Sequence, residues 1–410
     1  MPESTMDRIQ DEFGFIKGNI LVMAVSSGIW RFSSNLVNPF YPLYVLALGG
    51  TYFSIGLISA VGGVLSIFPT LVGGHLADTK GRKKIVGFLT ISMGPVKLIN
   101  AFAPDWTYLL LATAVNSVMS GLRGPAFSAI MADSLEPENR GKGYGAWASL
   151  PVIPAIISPA IGGWLIDTYD LVPILRKGYV LVAVMATVAG LLRLLFLQET
   201  FDKKEETETL RGSLKSLVSV SRRLPTSLKA LLFVNMVTVF GWAVKRRFRV
   251  TYAVEVIGLT ASAWGLIFTL TRAIRIIVLP LLGHTVDTIG RKILLLLTSI
   301  IIPLMDIVFV FATDFFSAFL AFASFYIARH VRGTAVKALR ADFSPREERG
   351  KIYSLFRAFS HPTRMIGPLF GGFLYGGVSK SSPFFMEVLL SLGLLLLVIT
   401  LIREPEEKEE

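Results

Sequence analysis

The chain has 410 residues, of which 52% are hydrophobic and only 17% charged, with a formal net charge of +12. Soluble globular proteins carry about 25% charged residues, so this composition excludes an ordinary water-soluble enzyme and points to a chain whose solvent is the bilayer. The absence of cysteine rules out disulfides, thiolate metal sites, iron–sulfur clusters and cysteine nucleophiles, and leaves the redox compartment open.

A spanning helix needs about 20 mainly apolar residues. Twelve segments qualify, starting near residues 18, 51, 83, 106, 139, 177, 228, 260, 291, 315, 348 and 382. Residues 1–17 mix Glu3, Asp7, Asp11 and Glu12 with Arg8 and Lys17, which is no cationic signal leader, so the first span is expected to be retained. Within it, Pro39-Phe40-Tyr41-Pro42 predicts a kink. The loop after span 2 is rich in glycine and Lys or Arg, from Gly74 to Lys84. Span 5 carries Ser158-Pro159 followed by Gly162-Gly163, and span 11 carries Gly367-Pro368 followed by Gly371-Gly372. Between spans 6 and 7, residues 199–227 are rich in Lys, Glu and Thr, and their Leu210, Leu214, Leu217 and Val218 suit one apolar face on a membrane surface. The expected organisation is an N-terminal segment 1–17, a six-span half 18–198, a linker 199–227, a second half 228–403 and a tail 404–410.

The loops after spans 2, 4, 6, 8 and 10 hold 18 Lys and Arg, with Lys229 counted in the linker, against 3 (Arg176, Lys177 and Lys380) on the opposite side. The positive-inside rule then places both termini in the cytoplasm of a multi-pass protein, expected in the plasma membrane.

The chain repeats itself at an offset of 209 residues. Gly74, His75, Asp78, Thr79, Gly81, Arg82 and Lys83 return as Gly283, His284, Asp287, Thr288, Gly290, Arg291 and Lys292. Asp133, Arg140 and Tyr144 return as Asp342, Arg349 and Tyr353, and Arg123-Gly124 as Arg332-Gly333. Two parallel six-span halves joined by a charged linker suit a transporter, with a ligand site expected between the halves near the midplane.

These residues resemble the major facilitator superfamily of secondary transporters. The loop after span 2 matches the family pattern Gly-x-Leu-Ala-Asp-x-x-Gly-Arg-Lys at Gly74, Leu76, Ala77, Asp78, Gly81, Arg82 and Lys83. The resemblance implies an all-α membrane protein of twelve transmembrane helices in two pseudo-symmetric six-helix halves, working by alternating access. It also implies that this loop is a cytoplasmic gate, with Gly74, Asp78, Gly81, Arg82, Asp133 and Arg140 repeated as Gly283, Asp287, Gly290, Arg291, Asp342 and Arg349. The simpler reading is a positive-inside anchor. The Gly-Pro-x-x-Gly-Gly pattern of drug/proton antiporters is incomplete in span 5, where Ser158 stands first.

Sixteen Lys and Arg remain within the spans, among them Arg31, Lys97, Arg123, Arg193, Lys245, Arg246, Arg247, Arg249, Arg272, Arg275, Arg329, Arg332, Arg357 and Arg364. In the superfamily, spans 1, 2, 4, 5, 7, 8, 10 and 11 line the cavity, which implies that most of these charges face it. At 100° per residue Arg357 and Arg364 lie within about 20°, and Arg329, Arg332 and Arg340 within about 80°. Asn35 extends the stripe of Ser27 and Arg31, and His361 falls between Arg357 and Arg364. A mid-membrane Lys or Arg costs about 2.5–3.5 kcal/mol, so these faces are expected to meet water or a ligand. Lys97 and Arg193 sit near span ends, where snorkelling is the alternative. Pairing with acids is not expected by count, since the acids within spans are Asp306 in span 9, Glu387 in span 12 and Glu255 at an outer end, of which only Glu255 lies on a cavity-lining span.

The expected cargo is a small organic or inorganic anion, with Arg31, Asn35, Arg123, Arg246, Arg249, Arg272, Arg275, Arg332, Arg357, His361 and Arg364 as binding residues. A coupling proton or counter-anion is expected with it. Two rivals stay open: a proton-coupled multidrug efflux pump for lipophilic compounds, and a non-transporting membrane sensor or scaffold. The four histidines lack metal-ligand spacing and no Walker lysine pattern occurs, so no metal, cofactor or enzymatic activity is expected. The lipid bilayer is the expected environment, nucleic acid is not an expected partner, and the chain is expected to act as a monomer.

Overall fold

The computed structural model describes residues 17–135, 140–201, 219–221 and 223–402, and within these not the side chains of 140–142, 148 and 279–288. The chain is all-α, and the longer described helices fall into twelve stretches. The first six comprise α1 (Gly18–Val37), continued through a 3-10 turn at Asn38–Phe40 into α2 (Tyr41–Ala47), then α3 (Tyr52–Thr79), α4 (Lys83–Ala101), α5 (Trp106–Asp133), the pair α6 (Arg140–Ser149) and α7 (Ser158–Tyr169), and α8 (Leu171–Phe196). The second six are α9 (Thr226–Arg246) with α10 (Arg249–Glu255), α11 (Ala261–Ile289), α12 (Arg291–Val310), α13 (Phe315–Asp342), α14 (Arg349–Gly377) and α15 (Ser382–Leu401). Seven of these stretches are long and apolar enough to cross a membrane by composition alone. The remaining stretches include α5, α13 and α14, whose Arg123, Arg332, Arg357 and Arg364 lower their hydropathy.

The chain divides into two compact units, Met1–Gly49 with Val61–Thr207 and Gly50–Ala60 with Glu208–Glu410. The first residues of α3 therefore belong to the second unit, where a side chain at Gly372 would meet the Tyr52 carbonyl oxygen at 2.6 Å. In the first unit α4 packs on α8 and α5, and α1 packs on α8 and α7; in the second α12 packs on α15 and α13, and α9 on α15 and α14. The sequence repeat is thus a repeat of the same four helix pairings. It reaches the helix starts as well. Asp105 accepts the Thr107 N–H at 2.7 Å to cap α5, and its repeat mate Asp314 accepts the Ser317 N–H at 2.8 Å to cap α13.

Hydrocarbon offers no hydrophobic drive for helix association, so close packing must supply it, and small residues make it possible. A side chain at Gly190 of α8 would stand 2.6 Å from both Cγ1 and N of Ile91, and one at Gly87 of α4 3.0 Å from Cβ of Leu194. Gly162 presses on the backbone carbonyl of Leu36, and its repeat mate Gly371 on that of Val244. The proline–glycine pattern of spans 5 and 11 is a packing device in both units.

Two expectations are corrected. Span 5 is broken: residues 150–157 form short turns, because Pro151 and Pro154 supply no N–H to continue the helix. Arg176 and Lys177 are not in a loop; they occupy the second turn of α8, where Arg176 Nη2 donates to the Ala103 carbonyl at 2.9 Å. Of the linker, residues 202–218 lie outside the described residues, including Leu210, Leu214, Leu217 and Val218. Val220 and Leu224 are buried with Leu228, Leu295, Leu355 and Leu394 in the core of the second unit.

Replacing Gly190 by valine is expected to lower the melting temperature through overpacking that costs about 1–3 kcal/mol. Gly333→Ala, where an added Cβ meets nothing within 4 Å, is expected to leave it unchanged or raise it. Thermal denaturation of the two purified variants checks the contrast.

Candidate functional site

A cavity of about 570 Å³ lies within the first unit. That volume falls in the range of about 300–1,000 Å³ typical of small-molecule sites. Arg31 and Asn35 reach it from α1 and Arg123 from α5, so the structure brings these three predicted residues together. Lys97 of α4 and Arg193 of α8 line it too. Among the described residues four cations and no carboxylate line the cavity.

Lys97 and Arg193 correct the snorkelling expectation. Arg193 is 1% exposed and donates from Nε to Ser26 Oγ at 2.9 Å, from Nη2 to Ser27 Oγ at 2.9 Å and from Nη1 to Thr90 Oγ1 at 3.1 Å. The reason is local: α8 packs face to face on α1 and α4, and Arg193 sits on that buried face. Arg123 shares the Thr90 hydroxyl, donating from Nη1 at 3.2 Å, while its Nε is buried without a hydrogen-bond partner. The rings of Trp30 and Phe127 hold both guanidinium groups, at 4.5 and 5.6 Å from Arg123 and at 5.8 and 5.1 Å from Arg193. Hydroxyls and rings orient these cations without neutralising them, since a cation–π contact is worth about 0.5–2 kcal/mol and carries no counter-charge.

The second unit treats its basic residues differently. The guanidinium groups of Arg246 and Arg329 lie 4.6 and 3.9 Å from the centre of the Trp242 ring. Arg272 lies 5.6 Å over Phe268, Arg275 is half-buried, Arg357 and Arg364 are exposed, and His361 is half-buried. Arg249 does not stand as a free binding group. It donates to Asp306 Oδ1 at 2.7 Å, and Lys245 pairs with Asp306 Oδ2, both cations being buried. Pairing by acids is therefore realised for these two, because Asp306 on α12 points inward against α9 and α10. Arg332 is 2% exposed, and none of its three guanidinium nitrogens has a hydrogen-bond partner.

At one end of the first unit Arg82 pairs with Asp133, and at the matching end of the second Arg291 pairs with Asp342. Gly81 and Gly290 precede these arginines at φ 86° and 94°, the left-handed region that lets each chain turn out of its helix. A group the sequence reading missed completes the first of these: Glu199, just past α8, accepts the backbone N–H of Arg82 at 3.0 Å and of Lys83 at 3.0 Å. A side chain at Gly81 would lie 2.9 Å from Glu199 Oε2. Arg349 donates to the Ser344 carbonyl at 3.3 Å, Gly74 faces open space, and Asp78 is exposed with no ion pair among the described residues. The side chains of Arg140 and Asp287 and the surroundings of Gly283 lie outside the described residues.

A sequence profile described as the Major Facilitator Superfamily matches residues 23–327 and 231–410. The chain is 24% identical to an uncharacterized MFS-type transporter of Methanocaldococcus jannaschii over 93% of this chain and 94% of that one. It is 25% identical to a multidrug resistance protein MdtG of Enterobacter lignolyticus, covering 87% of this chain and 85% of the relative. Among solved structures, the human organic anion transporter MFSD10 superposes with a TM-score of 0.65 at 15% identity, covering 92% of this chain and 98% of that chain. A bacterial homolog of the human lysosomal transporter Spinster gives 0.68 at 14% identity, covering 93% and 94%. At such identities these likenesses speak for the fold alone.

Asp306→Asn is expected to destabilise the protein by about 3–5 kcal/mol, since it strands two buried cations, and pairing it with Lys245→Met is expected to recover part of that loss. Denaturation of the single and double variants in detergent reads the difference. Burial raises the Glu199 acid, but four backbone N–H donors outweigh it and hold the group below the usual carboxylate range. Its contribution is present above the ordinary value of about 4.3 and is lost as pH falls through the lowered one. Acidification should therefore lower the melting temperature of the wild type more than that of Glu199→Gln.

Proposed function

The chain belongs to the major facilitator superfamily of membrane transporters, and we propose that its cargo is a small organic or inorganic anion, held in the arginine-lined cavity and moved by alternating access. The observation that carries this reading is the cavity of about 570 Å³ with four cations and no carboxylate among its described lining residues. A guanidinium in the membrane interior without a counter-charge is costly, and an anionic ligand removes that cost while gaining fork-shaped hydrogen bonds. Arg123, with an unpartnered Nε beside Arg31 on the cavity wall, supplies the first such contacts; Lys97 adds a point charge. The paired ends of the two units, Arg82 with Asp133 and Arg291 with Asp342, would form and break in step with the cycle as the gate. A proton or a counter-anion would drive it.

A second reading, efflux of lipophilic compounds, is favoured by the relatives that carry the name multidrug resistance protein MdtG. The aromatic walls of the cavity, Trp30, Phe127 and Trp147, would suit it. Its expected cationic cargo would have to enter beside four positive side chains, which repel it.

The melting temperature of the detergent-purified protein against phosphate, sulfate, carboxylates, nucleotides and lipophilic cations at constant ionic strength separates the readings. An anion at about 100 times its dissociation constant is expected to stabilise the wild type by about 2.7 kcal/mol, and Arg123→Gln and Arg31→Gln to abolish the shift. Stabilisation by lipophilic cations alone would support efflux instead.

A further inference from the structure

The second unit buries a charged cluster with no part in the cavity described above. Its two carboxylates are not equivalent. Asp306 is saturated, with Lys245 on Oδ2 and Arg249 on Oδ1. Glu387 of α15 is 4% exposed, and its Oε2 accepts no hydrogen bond. Lys245 Nζ, 3.4 Å away and out of line for a hydrogen bond, is the one cation within 4.0 Å of it among the described residues.

The fold makes room for this carboxyl group. A side chain at Gly241 would stand 2.5 Å from Glu387 Oε2 and 3.0 Å from Cδ, so the carboxyl lies against the bare backbone of α9. Four elements bring charge toward it. α9 brings Lys245, α10 brings Arg249, α12 brings Asp306, and α13 brings Arg329 and Arg332, all of which interact with it electrostatically. α14 packs on α15 and carries Arg357, His361 and Arg364, none of which forms an ion pair with Glu387. Lys245 sits between the two acids and holds its ammonium nearer the saturated one. A buried carboxylate whose Oε2 takes no hydrogen bond, next to a lysine held closer to another acid, is a group that can change its charge without dismantling the Lys245–Asp306 pair beside it.

We propose that Glu387 is a proton-exchange site of this transporter, with Lys245, which lies between it and Asp306, as its positioning residue. On loading, an O–H bond forms at the Glu387 carboxylate, which becomes a neutral acid. Lys245 keeps all its protons and its pairing with Asp306, and no other bond changes. On release that O–H bond breaks and the proton leaves to water. The proposal deepens the transport reading by naming the coupling ion as the proton, yet it does not depend on which cargo is carried.

The test is pH-difference infrared spectroscopy of the full-length protein in detergent, with no cargo added. The expected result is a carboxylic-acid C=O band that titrates between about pH 5 and 9 and loses its full amplitude in Glu387→Gln. In Lys245→Met the band is expected to remain with a displaced midpoint. Should Glu387→Gln fail to fold, wild-type protein made with carboxyl-13C glutamate is expected to shift the band, and protein made with carboxyl-13C aspartate to leave it in place. A wild type with no titrating band, a band that moves with labelled aspartate, or one that persists in Glu387→Gln overturns the proposal. The melting-temperature response to anions reads the cargo independently, so a missing band with an intact anion shift removes the proton site alone.

Discussion

Placing guanidinium and ammonium groups inside a hydrocarbon layer is the constraint on which the arrangement of this protein depends. Each such group costs about 2.5–3.5 kcal/mol at the centre of a helix facing lipid, so the sixteen basic residues of the spans must be given water, partners or a ligand. The two units meet that demand in different ways. The first gathers Arg31, Lys97, Arg123 and Arg193 around one cavity and supports Arg123 and Arg193 with the hydroxyls of Ser26, Ser27 and Thr90 and the rings of Trp30 and Phe127. The second buries Lys245 and Arg249 against Asp306, with Glu387 alongside.

This division sits on a scaffold that is otherwise repeated. The four helix pairings, the aspartate caps at Asp105 and Asp314, the left-handed glycines 81 and 290 and the Arg–Asp pairs that follow them all recur between the units. Glycines set against backbone, Gly162 on Leu36 and Gly371 on Val244, let the helices approach closely enough for the polar groups between them to find each other. What differs between the units is the chemistry of their interiors.

Much of this was legible in the sequence because it is local or periodic. The 209-residue repeat announced two like units, and the Gly81-Arg82 and Gly290-Arg291 that it relates mark their matching ends. The stripe of Arg31 and Asn35 marked a cavity face. What was not legible depends on partners far apart in the chain. Nothing near Lys245 reveals that Asp306, 61 residues on, points back at it, and treating spans 9 and 12 as outer supports hid both Asp306 and Glu387. Arg193 was set aside for its position near a span end, although its face of α8 turns toward α1. Pro151 and Pro154 carried a readable signal for the break in span 5, which the run of apolar residues around them obscured.

In the proposed cycle the cations of the first cavity bind and carry an anion. The most direct measurement is electrophysiology on a solid-supported membrane bearing proteoliposomes, exposed to rapid jumps of phosphate, sulfate, carboxylates or tetraphenylphosphonium. A charge displacement is expected on jumps of one anion class, and it is expected to disappear in Arg31→Gln and Arg123→Gln. Displacement with tetraphenylphosphonium alone, or an anion response unchanged in both variants, would contradict it.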